Sequence, residues 1–274
     1  MGEAALVIQG LRRTFNPGTA GEVRALQGVD LSVEAGAFVI MLGTNGSGKS
    51  TLLNAIAGTT TVDGGSLVLD GTDLTGWPEF RRARLIGRVF QDPFVGTAQD
   101  LTIAENLALA SRRERQGGVG MALTTKRREK IREQVAELNM GLEDRVDTPM
   151  GALSGGQRQA LTLLMATVAH PRLLLLDEHT AALDVRSEEQ VLRITQEVIT
   201  RDSLTTLLVT HSLEQAVRMG DRVVIMHRGR IAIDFSGMKK RMLRVEDLLD
   251  RFDRLRAGEL LDEPAAELLR RTYV

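Results

Sequence analysis

The sequence predicts an α/β fold built on a mostly parallel sheet, and three observations carry that prediction. Gly43-Thr44-Asn45-Gly46-Ser47-Gly48-Lys49-Ser50 is a glycine-rich phosphate-binding loop set between an apolar run and a helical one. Residues 173–176 form a second apolar run, which ends in two carboxylates, Asp177 and Glu178. From there to about residue 234, strand-like and helix-like segments alternate as in βαβ units.

Taken in order, the elements agree with that frame. The N-terminal stretch to Val33 carries β-like segments broken by the turn signal Asn16-Pro17-Gly18. Residues 37–42 (AFVIML) read as a buried strand, and residues 50–57 as a helix that Gly58 ends. Asp63-Gly64-Gly65 and Asp70-Gly71 flank hairpin material at residues 66–69. From Pro93 to about Thr148 the chain turns helical, polar and charge-rich. Ser154 is suited to cap a helix running to about Ala169, with Ala160, Leu161, Leu164, Met165 and Val168 at helical spacing. A helix at 187–200 and a strand at 205–209 follow, and strands at 222–226 and 230–234 flank a turn at His227-Arg228-Gly229. Residues 238–274 read as a charged helical tail, and there is no internal repeat.

Composition narrows the function. The 274 residues are 43% hydrophobic and 26% charged, ordinary for a globular protein with a full core. No apolar run reaches the roughly 18–20 residues that span a bilayer, and the opening MGEAALVIQGLRR lacks the pattern of a signal peptide. The absence of cysteine excludes disulfides and thiolate metal sites. A net charge of −1 gives no drive toward nucleic acid, so none is expected as a partner. Membrane contact is expected through a partner.

The chemistry is concentrated in three segments. In the loop, glycines leave backbone N–H groups open to phosphate oxygens, Lys49 reaches the β- and γ-phosphates, and the Ser50 hydroxyl is placed for Mg²⁺. Carboxylates at the end of a buried parallel strand sit where α/β folds bind ligands. Asp177 there would hold Mg²⁺ and Glu178 would orient or deprotonate the attacking water; the competing reading is an exposed strand end. In Leu153-Ser154-Gly155-Gly156-Gln157-Arg158-Gln159, a capped helix start bare of side chains attracts anions. A second anion site in a chain that already has a phosphate loop suggests a nucleotide shared between two chains.

These residues carry a resemblance. LSGGQRQA resembles the signature motif of ABC-type ATPases, GTNGSGKS their Walker A, LLLLDE their Walker B and Ala182-Leu183-Asp184 their D-loop. Gln91 in VFQDP resembles the Q-loop glutamine, and His211 in LLVTHS the switch histidine; the likeness runs from about Leu6 to Phe235. It implies a P-loop (RecA-like) core with an antiparallel β subdomain and a helical subdomain at about 93–158, all within 1–237. The tail at 238–274 follows. It also implies ATP hydrolysis, with Mg²⁺, in a head-to-tail dimer of two copies. The implied nucleotide contacts are Gly43, Thr44, Asn45, Gly46, Ser47, Gly48, Lys49, Ser50 and Thr51 in one chain. Ser154, Gly155, Gly156 and Gln157 would come from the other. Gln91 would meet Mg²⁺ or water and report to a membrane partner, His211 would bond the γ-phosphate and Glu178, and Asp184 would sit at the interface.

Two positions depart from the family pattern. Phe15 stands where a tyrosine usually stacks on adenine, an exchange that keeps the ring face; the alternative is a core residue. His179 follows Glu178 where many relatives carry proline, and DEHTAALD resembles a bacterial subgroup of importers for amino-acid-type or unassigned solutes. The basic runs at 111–115 and 126–130 read as solvated helix faces or as sites for anionic lipid or a partner. Phe94 and Val95 are the expected groove toward a permease. In the tail, Leu243, Val245, Leu248, Leu249 and Phe252 would pack on the chain's own core or form a dimer contact.

The functional expectation is the ATPase subunit of a bacterial ABC importer for a solute of amino-acid type, peripheral on the inner face of the cell membrane. Its expected partners are multispanning permease subunits, a second copy of itself and a substrate-binding protein. The rivals are a soluble assembly ATPase of the iron–sulfur scaffold type and an export ATPase for lipid or lipoprotein. DNA-repair relatives would need coiled-coil arms or zinc cysteines, and translation factors normally carry two such domains.

Overall fold

The computed structural model describes residues 4–112 and 123–262. Strands β1 (Ala4–Phe15) and β2 (Val23–Glu34) pair antiparallel across the turn at Asn16. β3 (Phe38–Gly43) enters the glycine-rich loop, and α1 (Lys49–Ala57) leaves it and ends at a left-handed Gly58. β4 (Gly64–Leu69) and β5 (Thr72–Asp73) form the expected hairpin. A short α2 (Glu79–Arg82) and β6 (Ile86–Val89) come next. The helical stretch holds α3 (Ile103–Ala110), α4 (Thr125–Ala136) and two 3-10 turns before α5 (Gly155–Thr167). Then follow β7 (Leu173–Asp177), α6 (Val185–Arg201), β8 (Thr206–Val209) and α7 (Leu213–Arg218). The chain continues through β9 (Arg222–His227), β10 (Arg230–Ser236), α8 (Gly237–Arg241) and α9 (Val245–Asp262).

Two sheets result: an antiparallel one in the order β2-β1-β4-β5, and a six-stranded one in the order β10-β9-β3-β8-β7-β6. In the second, all pairings are parallel except that of β9 with β10. Its central strands are apolar without interruption because both faces are covered. Side chains alternate between the faces: Val39, Met41, Leu173, Leu175, Leu207 and Val209 pack with α1 and the antiparallel sheet. Ile40, Leu42, Leu174, Leu176 and Leu208 pack with α3, α5 and α6 on the other side.

Three short elements are absent from the sequence reading. β6 is one, because Gly87 and Arg88 break its apolar run; α2 and α7 are too short to show a helical period. Gly87 is there for closeness: a Cβ on it would stand 2.5 Å from the Ala166 carbonyl oxygen of α5. Gly87→Ala is therefore expected to destabilise the fold by about 1–3 kcal/mol through overpacking, read as a lower midpoint in urea unfolding. An unchanged midpoint would mean that α5 moves away freely.

The tail packs on the chain itself. Leu243 and Leu248 are buried in the same core as Leu174 and Leu208, Phe252 lies against it, and Leu249 faces solvent. In the second basic run Arg127 donates to the Ala108 carbonyl oxygen and Arg128 pairs with Asp147 at 2.7 Å, so these two tie α4 to its neighbours. Residues 113–115 of the first basic run and 263–274 of the tail lie outside the described residues. Among the described residues no helix is long and apolar enough to cross a membrane.

Candidate nucleotide site

Strand order assembles the site. The neighbours β3, β8, β7 and β6 run parallel, so their carboxyl ends share one edge of the sheet. The phosphate loop leaves β3, His211 follows β8 by two residues, Asp177 ends β7 with Glu178 next, and Gln91 follows β6 by two residues. Residues 120 positions apart in sequence thus converge without any local signal.

The loop is built for close approach. A Cβ on Gly43 would lie 2.5 Å from the Met226 carbonyl oxygen and 2.6 Å from Ser47 Oγ. Gly48, at φ +103, has the Ala25 carbonyl oxygen 2.5 Å from where its Cβ would be. α1 begins at that glycine with no side-chain cap and no acidic residue in its first turn. Its first amides therefore remain available to an anion. Ser47 Oγ is buried with no partner, and Asn45, Gly46 and Ser50 are exposed while Thr51 is half-buried. Lys49 Nζ donates to the carbonyl oxygens of Gly43 (2.8 Å) and Thr44 (3.0 Å). Burial pulls the Lys49 pKa below its ordinary value, while Glu178 and Asp177 oppose that pull.

Across the loop stand the acids. His211 Nε2 lies 2.6 Å from Glu178 Oε1, so the imidazole donates to the carboxylate. Glu178 adopts φ 47, a left-handed conformation that costs a non-glycine residue about 1–3 kcal/mol and persists only under restraint. Its N–H donates to the Val209 carbonyl oxygen at 2.9 Å. A buried polar network supplies more restraint. Gln215 Nε2 donates to Glu188 Oε1 (2.7 Å) and Thr180 Oγ1 (3.3 Å), and Thr210 Oγ1 donates to Gln215 Oε1 (2.6 Å). Thr180, two residues after Glu178, and Thr210, next to His211, are joined in this way. Asp177 Oδ2 lies 3.3 Å from Arg88 Nη2, which also donates to Asn54 Oδ1 at 2.7 Å. His179 is buried, and desolvation pushes its pKa down to about 4.

Hydroxyl, amide and carboxylate oxygens on Ser50, Gln91 and Asp177 are the hard donors that suit Mg²⁺. No cluster of three or more His, Cys, Asp or Glu is assembled among the described residues. That suits an ion which takes the rest of its shell from phosphates and water.

The serine-glycine segment opens α5. Ser154 and Gln157 form a capping box, each side chain accepting from the other's backbone N–H at 3.3 Å. That cap does not engage the amides of Gly155 and Gly156. A Cβ on Gly155 would lie 3.3 Å from Leu183 Cδ2, and one on Gly156 2.8 Å from Ser187 Cβ, so α5 starts against the loop that carries Asp184. Asp184 itself caps α6, its Oδ1 accepting from Ser187 N at 3.1 Å. Sequence reading missed two ties beyond the motif. Gln159 Nε2 donates to the Phe90 carbonyl oxygen at 3.2 Å. The Arg158 guanidinium sits 3.8 Å from the centroid of the Phe94 ring. Phe94 and Val95 remain exposed.

Phe15 stands outside both cores, with the Arg13 guanidinium 4.9 Å from its ring centroid. It pairs with Val23, two residues from Ala25, whose carbonyl abuts Gly48; the end of β1 is thereby close to the phosphate loop.

Comparison with known proteins gives the family and the fold. The family described as ABC transporter matches residues 26–181. A tyrosine transport ATP-binding protein from Clostridioides difficile is 37% identical over 249 residues, covering 90% of this chain and 98% of its own. An aliphatic sulfonates import ATP-binding protein from Agrobacterium fabrum is 36% identical, with 86% and 81% covered. A lipoprotein-releasing system ATP-binding protein from Ruegeria pomeroyi is also 36% identical, with 85% and 100% covered. Among solved structures, a dimeric post-hydrolysis ATP-binding cassette bound to ADP and phosphate superposes with a TM-score of 0.72 at 26% identity. It covers 84% of this chain and 98% of its own.

Proposed function

The chain belongs to the ABC transporter family as an ATP-binding, ATP-hydrolysing subunit, and from that premise we propose that it drives solute import across a bacterial membrane. Two copies close head to tail around two nucleotides, and separate multispanning permease subunits carry the solute. The chain works peripherally on the inner face of that membrane, with a substrate-binding protein supplying the solute. We take residues 1–237 as the ATPase unit, with 93–158 as its helical part and 238–274 as an appended tail.

The observation that supports the chemistry is the Glu178–His211 contact on the same sheet edge as Lys49 and the uncapped start of α1. ATP phosphates bind the amides of residues 43–51, and Lys49 exchanges its two carbonyl partners for phosphate oxygens. Ser50, Gln91 and Asp177 would hold Mg²⁺, which supplies positive charge where negative charge accumulates. Glu178 takes the proton of the attacking water, and His211 orients Glu178 and meets the γ-phosphate. Phe15 stacks adenine on the ring face away from Arg13. Ser154, Gly155, Gly156 and Gln157 cap the γ-phosphate bound by the second copy. Gln91 reports its presence to the permease at the groove of Phe94 and Val95, and Asp184 couples the two sites.

The sulfonate and sulfate/thiosulfate import proteins among the relatives favour import, and the tyrosine transport protein favours an amino-acid-type solute. The lipoprotein-releasing relatives support export as the second reading. A tagged pull-down from gently solubilised native membranes separates these readings. A multispanning protein with a binding protein is the expected result. A multispanning protein alone would favour export, and purely soluble partners would replace transport with an assembly role.

A further inference from the structure

His179 is 2% exposed and takes no part in the chemistry above. Its Nε2 lies 3.0 Å from Thr195 Oγ1. Thr195 spends its one hydroxyl proton on the Val191 carbonyl oxygen at 2.8 Å, so toward the histidine it can only accept. That assigns the tautomer: Nε2 carries the proton and Nδ1 a lone pair. The lone pair is buried with no partner, a cost that an apolar side chain of similar size would avoid. What histidine supplies here, and an apolar residue would not, is the bond to Thr195.

That bond joins two parts of the site. Thr195 is fully buried in the middle of α6, the helix that Asp184 caps and whose Glu188 belongs to the polar network behind His211. His179 directly follows Glu178, the residue held at φ 47. The Glu178 N–H and carbonyl are bound to Val209 and Ala181 at 2.9 and 3.0 Å, and its carboxylate accepts a hydrogen bond from His211 Nε2. Those bonds hold Glu178 to the sheet edge and to its own turn, whereas the His179–Thr195 bond fastens the next residue to α6. Thr180, one residue further on, is tied to the same helix through Glu188 and Gln215, so the His179 bond is the α6 anchor nearest Glu178; without it the left-handed residue has more freedom to relax toward the right-handed region and swing its carboxylate.

We infer that His179 is a positioning residue for hydrolysis: its bond to Thr195 holds the turn that aims the Glu178 carboxylate at His211 and the attacking water. This rests on Glu178 being the general base. The test is steady-state ATPase kinetics on the full chain for His179→Leu, Thr195→Val, their double variant and His179→Gln, with Glu178→Gln in parallel and thermal unfolding of each. Leucine and valine remove the bond at nearly constant volume, while glutamine can reach Thr195 with an amide donor. The expected result is a fall in kcat of about tenfold for each single variant, KM for ATP unchanged, no further loss in the double variant, and recovery in His179→Gln. Unchanged kcat in His179→Leu and Thr195→Val beside an inactive Glu178→Gln would overturn this role and leave the general base standing. Losses that add in the double variant, or that follow the fall in melting temperature with no recovery in His179→Gln, would reduce His179 to a packing residue. Full activity in Glu178→Gln would remove the reading on which the inference stands.

Discussion

Glu178→Gln is expected to bind ATP as the wild-type chain does, to hydrolyse it at least about 10²-fold more slowly, and to accumulate as an ATP-bound dimer. The magnitude is that of losing a general base. The substitution is nearly isosteric and keeps an oxygen that can accept from His211 Nε2, now 2.6 Å from the carboxylate, so the strained turn at φ 47 retains its anchor. What disappears is the negative charge and with it the basicity toward water. Nucleotide binding rests on the phosphate loop, which the substitution does not touch. With hydrolysis blocked, nothing dissolves the closed dimer, so size-exclusion chromatography with ATP should show a dimer that ADP does not support. Wild-type turnover in this variant would exclude Glu178 as the base.

Lys49→Ala should act one step earlier. The ammonium is buried beside Gly43 and Thr44, whose carbonyl oxygens hold it at 2.8 and 3.0 Å, and it is the side-chain cation within the phosphate loop. A charge-assisted bond to phosphate is worth roughly 1.5–3 kcal/mol, so its loss weakens ATP binding about 10- to 100-fold and leaves negligible hydrolysis at ordinary ATP concentrations. Titration calorimetry with ATP reads the loss directly. The fold should survive, because the Thr44 segment is partly exposed and water can replace the amine there. Tight ATP binding by the variant would contradict the loop assignment.

Much of this site was legible because its chemistry is written in contiguous backbone. Strand, glycine-rich loop and helix follow one another over residues 38–57, and the carboxylates sit at the end of the strand that carries them. Ser154 declared itself as a helix cap, and the structure adds Gln157 as its reciprocal partner one turn on. Hydrophobic continuity in residues 173–176 and 206–209 likewise announced strands buried on both faces, since no solvent-facing position interrupts them. The family resemblance added Gln91 and His211, which contiguous sequence would not have linked to Glu178.

The rest depended on the order in which strands pair, a property of the whole chain. β6 is too short and too interrupted by Gly87 and Arg88 to declare itself; it exists because β7 offers a parallel partner and α5 packs onto it at backbone distance. Arg88 meets Asp177 across 89 positions, and Gln159 reaches the Phe90 carbonyl across 69. Gln215 ties Thr210 to Thr180 and Glu188 inside a core where each donor must find an acceptor. His179 read as a departure from a motif, and its partner Thr195 carried no signal. By itself the sequence determined which residues are candidates to bind phosphate and act on water, because local backbone geometry suffices to propose them. Only the tertiary structure decided how those residues are aimed and restrained, because bonds between distant segments form only after the sheet has set their register.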